Sequence, residues 1–127
     1  MTSQPLPLVA VVEDDAPLRK ALGRLLRAGG FEPLLFESAE EFLAAAPSAH
    51  CIVLDVCLPG MSGLDLLEKL HAAGSRPPII LMTAGHDAAV TDRARKSDCA
   101  AFFLKPFDGH ALIDTVSSLV QRIADTA

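Results

Sequence analysis

The chain has 127 residues, half of them hydrophobic, and a formal net charge of −5. This length and composition predict one folded domain with a packed core, and they exclude a disordered chain. The acidic balance, without a basic stripe, argues against direct binding to nucleic acid. The N-terminus lacks the features of a signal peptide and no apolar run reaches transmembrane length, so we expect a cytoplasmic protein without membrane contact.

The first third of the chain predicts a strand, a helix and a second strand. The apolar run at residues 8–12 is typical of a buried strand, and it leads directly into Glu13, Asp14 and Asp15. Asp14 or Asp15 can cap the helix that follows. Leucines recur on one face of this helix, so we expect its basic residues, Arg19 among them, to face outward.

The next segments continue the alternation of strand and helix. Residues 33–36 form a short second strand, and Ser38 opens the second helix with Glu41 at capping-box spacing. The third strand, residues 51–55, is four apolar residues that end in Asp55 and a loop containing Pro-Gly. A continuous apolar run of this kind indicates a strand buried on both faces of a parallel sheet.

The second half of the chain repeats the pattern. Its predicted elements are a helix capped by Ser62, a strand at residues 78–82 ending at Thr83, a helix from Asp87 to about Ser97, a strand at residues 100–104 ending at Lys105, and a helix capped by Asp108 whose apolar face extends to Ile123. Five alternations of strand and helix predict an α/β fold, a doubly wound parallel sheet with helices on both faces.

Four of the five predicted strands end in polar residues, which are Glu13 with Asp14, Asp55, Thr83 and Lys105. In a parallel sheet these ends share one edge, where ligands bind. Clustered carboxylates suit a hard cation such as Mg²⁺, whereas a lysine and a threonine can contact phosphoryl oxygens. The set therefore points to phosphoryl transfer onto a carboxylate.

These residues, in this order and with this alternation, resemble the receiver domain of bacterial two-component response regulators. The segments 38–43 and 105–107 resemble FixJ-type receivers in particular. The resemblance extends over residues 8–123. It implies a CheY-like, flavodoxin-like fold with strand order 2-1-3-4-5, and a stand-alone receiver domain over residues 1–127 without an output domain.

The resemblance also implies the chemistry of the site. Asp55 would accept a phosphoryl group from a sensor histidine kinase or a histidine phosphotransfer protein. The receiver would catalyse its own phosphorylation and dephosphorylation, and it would not be an enzyme in the usual sense. Mg²⁺ would be held by Glu13, Asp14, Asp55 and the backbone carbonyl of Cys57.

Further roles concern the response to phosphorylation. Lys105 would contact the phosphoryl group, with a cis peptide before Pro106. Thr83 and Phe102 would form the switch pair that alters a protein-binding face made by the fourth helix, the fifth strand and the fifth helix. The resemblance is compatible with a monomer or with a homodimer that forms on phosphorylation.

The sequence departs from the receiver pattern at four positions. Glu13 stands where Asp is usual, and its extra methylene changes its reach towards a metal. Cys57 and Gly85 flank the expected path of attacking water, and relatives often carry a polar or charged residue at the Cys57 position. Asp98 stands where relatives often have glycine, so we expect the end of the fourth helix to be strained or built differently.

Other functions fit the sequence less well. A phosphatase of the haloacid-dehalogenase type would need a second Asp where Cys57 stands. A flavodoxin-like cofactor binder would need a phosphate loop after the first strand, where the chain has acidic residues. A phosphate sink in a relay and a constitutive adaptor that never switches remain open alternatives.

Overall fold

The computed structural model describes residues 5–75 and 77–126, with the side chains of residues 122–126 outside that description. Five parallel strands form one sheet in the order β2-β1-β3-β4-β5. They are β1 (Leu8–Val12), β2 (Glu32–Phe36), β3 (Cys51–Asp55), β4 (Ile79–Thr83) and β5 (Ala101–Leu104). The helices that alternate with them are α1 (Ala16–Ala28), α2 (Ala39–Ala45), α3 (Gly63–Ala72), α4 (Ala88–Lys96) and α5 (Gly109–Thr126). The predicted doubly wound sheet and its strand order are confirmed.

Both faces of the sheet are covered, which explains why the strands are apolar throughout. All residues of β3 and β4 are buried. Along β3, Ile52 and Leu54 face a core made with α2, α3 and α4, whereas Cys51 and Val53 face a second core made with α1 and α5. Full burial of one such aliphatic side chain stabilises the fold by about 2 kcal/mol.

Polar caps start the helices close to the strand ends. The Leu18 N–H donates to Asp15 Oδ2 at 3.0 Å, and Pro17 lies in the first turn of α1. Ser62 Oγ accepts from the Asp65 N–H at 3.1 Å, and the Asp65 carboxylate accepts from the Ser62 N–H, so α3 begins with a reciprocal capping box. These caps therefore fix where α1 and α3 begin after their strands.

The structure corrects one detail of the predicted helices and confirms another, the different construction of the end of α4. Ser38 caps α2 as predicted, but the Glu41 carboxylate accepts from the Glu37 N–H at 3.4 Å, so the capping box at Ser38 is not closed. The end of α4 is built without a left-handed residue, because Ser97 is extended (φ −73°, ψ 171°) and its hydroxyl donates to the Ala94 carbonyl. Asp98 therefore needs no left-handed conformation.

The strand bounds and the helix starts agree with prediction to within one residue, and α5 ends at Thr126, three residues beyond Ile123. The predicted inward position of Ile123 lies outside the described side chains. Within the described part of the chain, no helix combines the length and apolarity that a membrane crossing requires.

Candidate functional site

Asp55 is the last residue of β3 and lies at the edge of the sheet where the parallel strands end. Only 4% of its surface is exposed. Its Oδ1 accepts from the Cys57 N–H at 3.2 Å, and its Oδ2 lies 3.4 Å from Lys105 Nζ. One hydrogen bond from the loop and one ion pair therefore fix both oxygens of this carboxylate.

Glu13 follows β1, the neighbour of β3 in the sheet, and is completely buried. Its Oε1 lies 2.6 Å from Lys105 Nζ, and its Oε2 accepts from the Asp15 N–H at 3.1 Å. Burial raises the pKa of Glu13 to about 7, although the Lys105 hydrogen bond acts to lower it. Near neutral pH, Glu13 can therefore either hold a proton or, when ionised, pair with a cation.

Lys105 follows β5 and brings its ammonium between the two buried carboxylates. Burial acts to lower the pKa of Lys105, but the hydrogen bonds and charges of Glu13 and Asp55 outweigh this effect, and the pKa is raised. The ammonium therefore stays charged. The Lys105 N–H also donates to the Thr83 carbonyl at 2.8 Å, which fixes the lysine backbone beside β4. The peptide bond between Lys105 and Pro106 is cis.

Thr83 ends β4 and places its hydroxyl beside the loop after β3. Its side chain is buried, and its Oγ1 accepts from the Gly85 N–H at 3.4 Å. The same oxygen lies 3.8 Å from the Cys57 Sγ. The hydroxyl therefore lies next to Cys57 and Gly85, two of the positions at which the sequence departs from the receiver pattern.

Glu13, Asp14 and Asp55 form the acidic part of the site. One carboxylate oxygen from each lies within 4.8 Å of the others, and Asp14 is exposed to solvent. Oxygen donors at this spacing fit a hard divalent cation, and the open side at Asp14 leaves room for the water ligands that Mg²⁺ retains. The three side chains predicted as metal ligands are therefore brought together.

The family model for the response regulator receiver domain matches residues 9–117. The chain belongs to this family. As a receiver domain it is 40% identical over 117 residues to Nodulation protein W of Bradyrhizobium diazoefficiens, and 39% identical over 119 residues to the transcriptional regulatory protein FixJ of Azorhizobium caulinodans. These matches cover 91% and 92% of this chain but 52% and 56% of the relatives. The chain thus spans about half the length of the curated relatives it matches.

Solved receiver structures agree with this assignment. The crystal structure of FixJ-N is 32% identical, with a TM-score of 0.80, and the match covers 95% of this chain and 96% of that one. The response regulator StyR is 41% identical, with a TM-score of 0.84, and the match covers 95% of this chain and 62% of that one. The predicted receiver fold is thereby confirmed.

Phe102, the second member of the predicted switch pair, lies in β5 on the same face of the receiver sheet as Thr83. The strand register pairs Phe102 with Leu81, and its half-buried ring packs against the core that includes Leu81. The Arg95 guanidinium of α4 lies over this ring, 5.4 Å from the centroid. The switch role of Phe102 stays a prediction, as does the role of the Cys57 carbonyl as a metal ligand.

Sequence reasoning missed two residues that contact the loops of the receiver site. Arg19 was expected to face outward, but its side chain is only 12% exposed and turns back onto the loop after β1. Glu40 of α2 accepts a hydrogen bond from the Met61 N–H at 3.0 Å and so contacts the loop after β3. Nothing in the local sequence distinguishes Arg19 from its exposed neighbour Lys20, because the difference arises from where α1 lies against the loop.

Proposed function

We propose that this receiver domain accepts a phosphoryl group on Asp55 in a Mg²⁺-dependent reaction, as part of a cytoplasmic two-component system. One observation carries the proposal. The Asp55 carboxylate ends a buried strand with Lys105 Nζ at 3.4 Å and two further carboxylates within 4.8 Å. A nucleophilic oxygen, a fixed positive charge and a set of oxygen donors for a cation are therefore together at one sheet edge.

In the proposed transfer, a carboxylate oxygen of Asp55 attacks the phosphorus of a phosphohistidine on the donor protein. The new O–P bond forms as the P–N bond breaks, and the imidazole leaves with the electron pair. Lys105 keeps its proton and pairs with the phosphoryl oxygens, and the Thr83 hydroxyl can donate to the same oxygens. Hydrolysis then transfers the phosphoryl group from Asp55 to water and restores the carboxylate.

Glu13, Asp14 and Asp55, with the Cys57 carbonyl as the family resemblance implies, would hold Mg²⁺. When bound, the ion would neutralise charge on the phosphoryl oxygens and orient them. Glu13 must lose its proton to serve as a ligand, and its raised pKa makes that loss dependent on pH near neutrality.

A sensor histidine kinase or a histidine phosphotransfer protein would supply the phosphoryl group. A hollow of about 600 Å³ lies beside Lys105, and its lining includes Leu18 of α1 and Phe107 of the loop before α5. This mainly apolar hollow next to the phosphoacceptor supports docking of the donor at the α1 side of the site.

The output would be a protein contact on the face made by α4, β5 and α5. A groove of about 490 Å³ lies beside α4 and the end of β5, and its lining includes Arg95, Leu104 and Lys105. Leu104 is 42% exposed and so offers an apolar contact within this groove. Phosphorylation would bias this face through Thr83 and Phe102, either towards a downstream protein or towards a second copy of the chain.

Titration with beryllium fluoride, which mimics an acyl phosphate on aspartate, tests the proposal by NMR. We expect shifts around Asp55 only when Mg²⁺ is present, and none in Asp55→Asn. Asp98→Asn is a matched control, because this exposed carboxylate lies outside the acidic cluster and should respond as wild type does. A wild-type spectrum that does not change with beryllium fluoride and Mg²⁺ would contradict the proposal.

The same spectra separate the possible outputs. Shifts that reach Phe102 and α5 support a switching receiver. Shifts confined to the residues around Asp55 favour a phosphate sink in a relay. If neither ligand binds, a constitutive adaptor becomes the better description of this chain.

A further inference from the structure

We propose that Arg19 is a positioning residue that sets the Mg²⁺ affinity of the site by fixing the loop that carries Asp14. This inference rests on the function proposed above. Arg19 belongs to α1 and lies outside the acidic cluster. Its side chain contacts the backbone carbonyls of two of the three candidate metal ligands.

The Arg19 guanidinium joins two loops at the edge of the sheet. Its Nη1 donates to the Glu13 carbonyl at 2.9 Å and lies 3.4 Å from the Asp14 carbonyl. Its Nη2 lies 3.3 Å from Oε1 of Glu37, the residue after β2. With only 12% of the side chain exposed, the planar fork of donors is held in one arrangement.

Asp14 depends on this contact more than the other two acidic residues do. The Glu13 carboxylate is held by Lys105 and the Asp15 N–H, and the Asp55 carboxylate by Lys105 and the Cys57 N–H. Among the described residues, by contrast, none hydrogen-bonds to the exposed Asp14 carboxylate. Its position follows from the position of its backbone, and Arg19 binds that backbone.

The charge of Arg19 and its hydrogen bonds predict opposite effects on metal affinity. A positive charge near the site repels Mg²⁺, so removal of the charge alone would tighten binding. Loss of the hydrogen bonds would let the Asp14 backbone move and would weaken binding. Arg19→Gln removes both, and the sign of the change identifies the effect that dominates.

We would titrate wild type, Arg19→Gln, Arg19→Lys and Arg24→Gln with Mg²⁺ and follow the amide NMR signals. We expect Arg19→Gln to bind Mg²⁺ about tenfold more weakly, as removal of groups that orient metal ligands commonly does. Arg19→Lys keeps the charge that repels Mg²⁺ but loses the fork, so it should bind Mg²⁺ at least as weakly as Arg19→Gln does. Arg24 is exposed on the same helix, and Arg24→Gln should bind Mg²⁺ as tightly as wild type or slightly more tightly.

Amide hydrogen exchange without metal gives a second readout. In Arg19→Gln the Asp15 N–H should exchange faster, whereas the Gly63 N–H, bonded to the Val56 carbonyl at 2.9 Å, should be unchanged. If both amides accelerate equally, Arg19 acts on global stability alone and the proposal is wrong. Should Arg19→Gln fail to fold, Arg19→Lys carries the test, and wild-type affinity in that variant overturns the proposal.

The outcomes also separate this inference from the function it rests on. If wild type does not bind Mg²⁺, the proposed function fails together with the inference. If wild type binds Mg²⁺ and Arg19→Gln binds it equally well or more tightly, only the role of Arg19 is overturned.

Discussion

Replacement of Glu13 by Gln should remove a pH dependence of stability that this buried carboxylate creates. Glu13 is completely buried, and burial raises its pKa from 4.5 to about 7. Because the folded chain binds this proton more tightly than the unfolded chain does, the contribution of Glu13 to stability is fully present below pH 4.5 and is lost as the pH rises to about 7.

The size of the effect follows from the two pKa values. A rise from 4.5 to about 7 corresponds to about 3 kcal/mol between the two limits. Between about pH 5.5 and about pH 8.5, roughly 2 kcal/mol of this difference is accessible to measurement. Glutamine has nearly the shape of glutamate and does not titrate, so the Glu13→Gln variant should lack this part of the pH dependence.

The assay is urea unfolding followed by circular dichroism, with a chelator present to exclude divalent cations. The free energy of unfolding of Glu13→Gln is subtracted from that of wild type at each pH. This subtraction cancels the contributions of the titratable groups that both chains share. Glu40→Gln is a control, because the contribution of Glu40 to stability should change with pH in the opposite direction. The hydrogen bond from the Met61 N–H lowers the pKa of Glu40, so its contribution should be lost as the pH falls.

A difference curve for Glu13 that is flat from about pH 5.5 to about pH 8.5 would refute the reasoning. It would mean that the ion pair with Lys105 fully compensates the burial of the carboxylate. A curve that rises with pH would mean that the ion pair more than compensates it and that the pKa of Glu13 is lowered.

Three further substitutions test other contacts of the site. Lys105→Met removes the hydrogen bond that lowers the pKa of Glu13, so it should destabilise the fold more at high pH than at low pH, measured by urea unfolding. Gly63→Ala would place a Cβ 2.2 Å from the Asp55 carbonyl oxygen, and we expect a loss of about 3 kcal/mol in the same assay. Glu40→Ala should speed hydrogen exchange of the Met61 N–H and leave the Asp15 N–H unchanged.

Much of the fold could be predicted because the hydrophobic pattern and the caps agree. The continuous apolar run of β3 indicated a strand buried on both faces, and the structure buries each of its residues. Asp15, Ser62 and Asp87 cap their helices as their side chains allow. The strand order came from the family resemblance, since alternation of strand and helix does not by itself determine how parallel strands are arranged.

Only those residues of the site that lie at the ends of strands could be predicted from the sequence. Glu13, Asp55, Thr83 and Lys105 follow from that rule. The contact of Arg19 with the loop does not, because it depends on the rotation of α1 and on the length of one side chain. Glu40 was missed for a similar reason, since its partner Met61 is 21 residues away and offers only a backbone N–H.

The charges at this edge bear on both parts of the proposed function, the binding of a cation and the transfer of a phosphoryl group. Glu13, Asp14 and Asp55 carry three negative charges when ionised, and Lys105 supplies one positive charge. The excess of two negative charges matches a divalent cation, and the raised pKa of Glu13 shows that burial disfavours this excess. The proposed transfer of a phosphoryl group would replace the Asp55 charge by about −1.5 to −2 charges. The site therefore has an excess of negative charge before and after transfer. Without a cation, Lys105 alone cannot balance this excess. We therefore expect phosphorylation to be slow in the presence of a chelator.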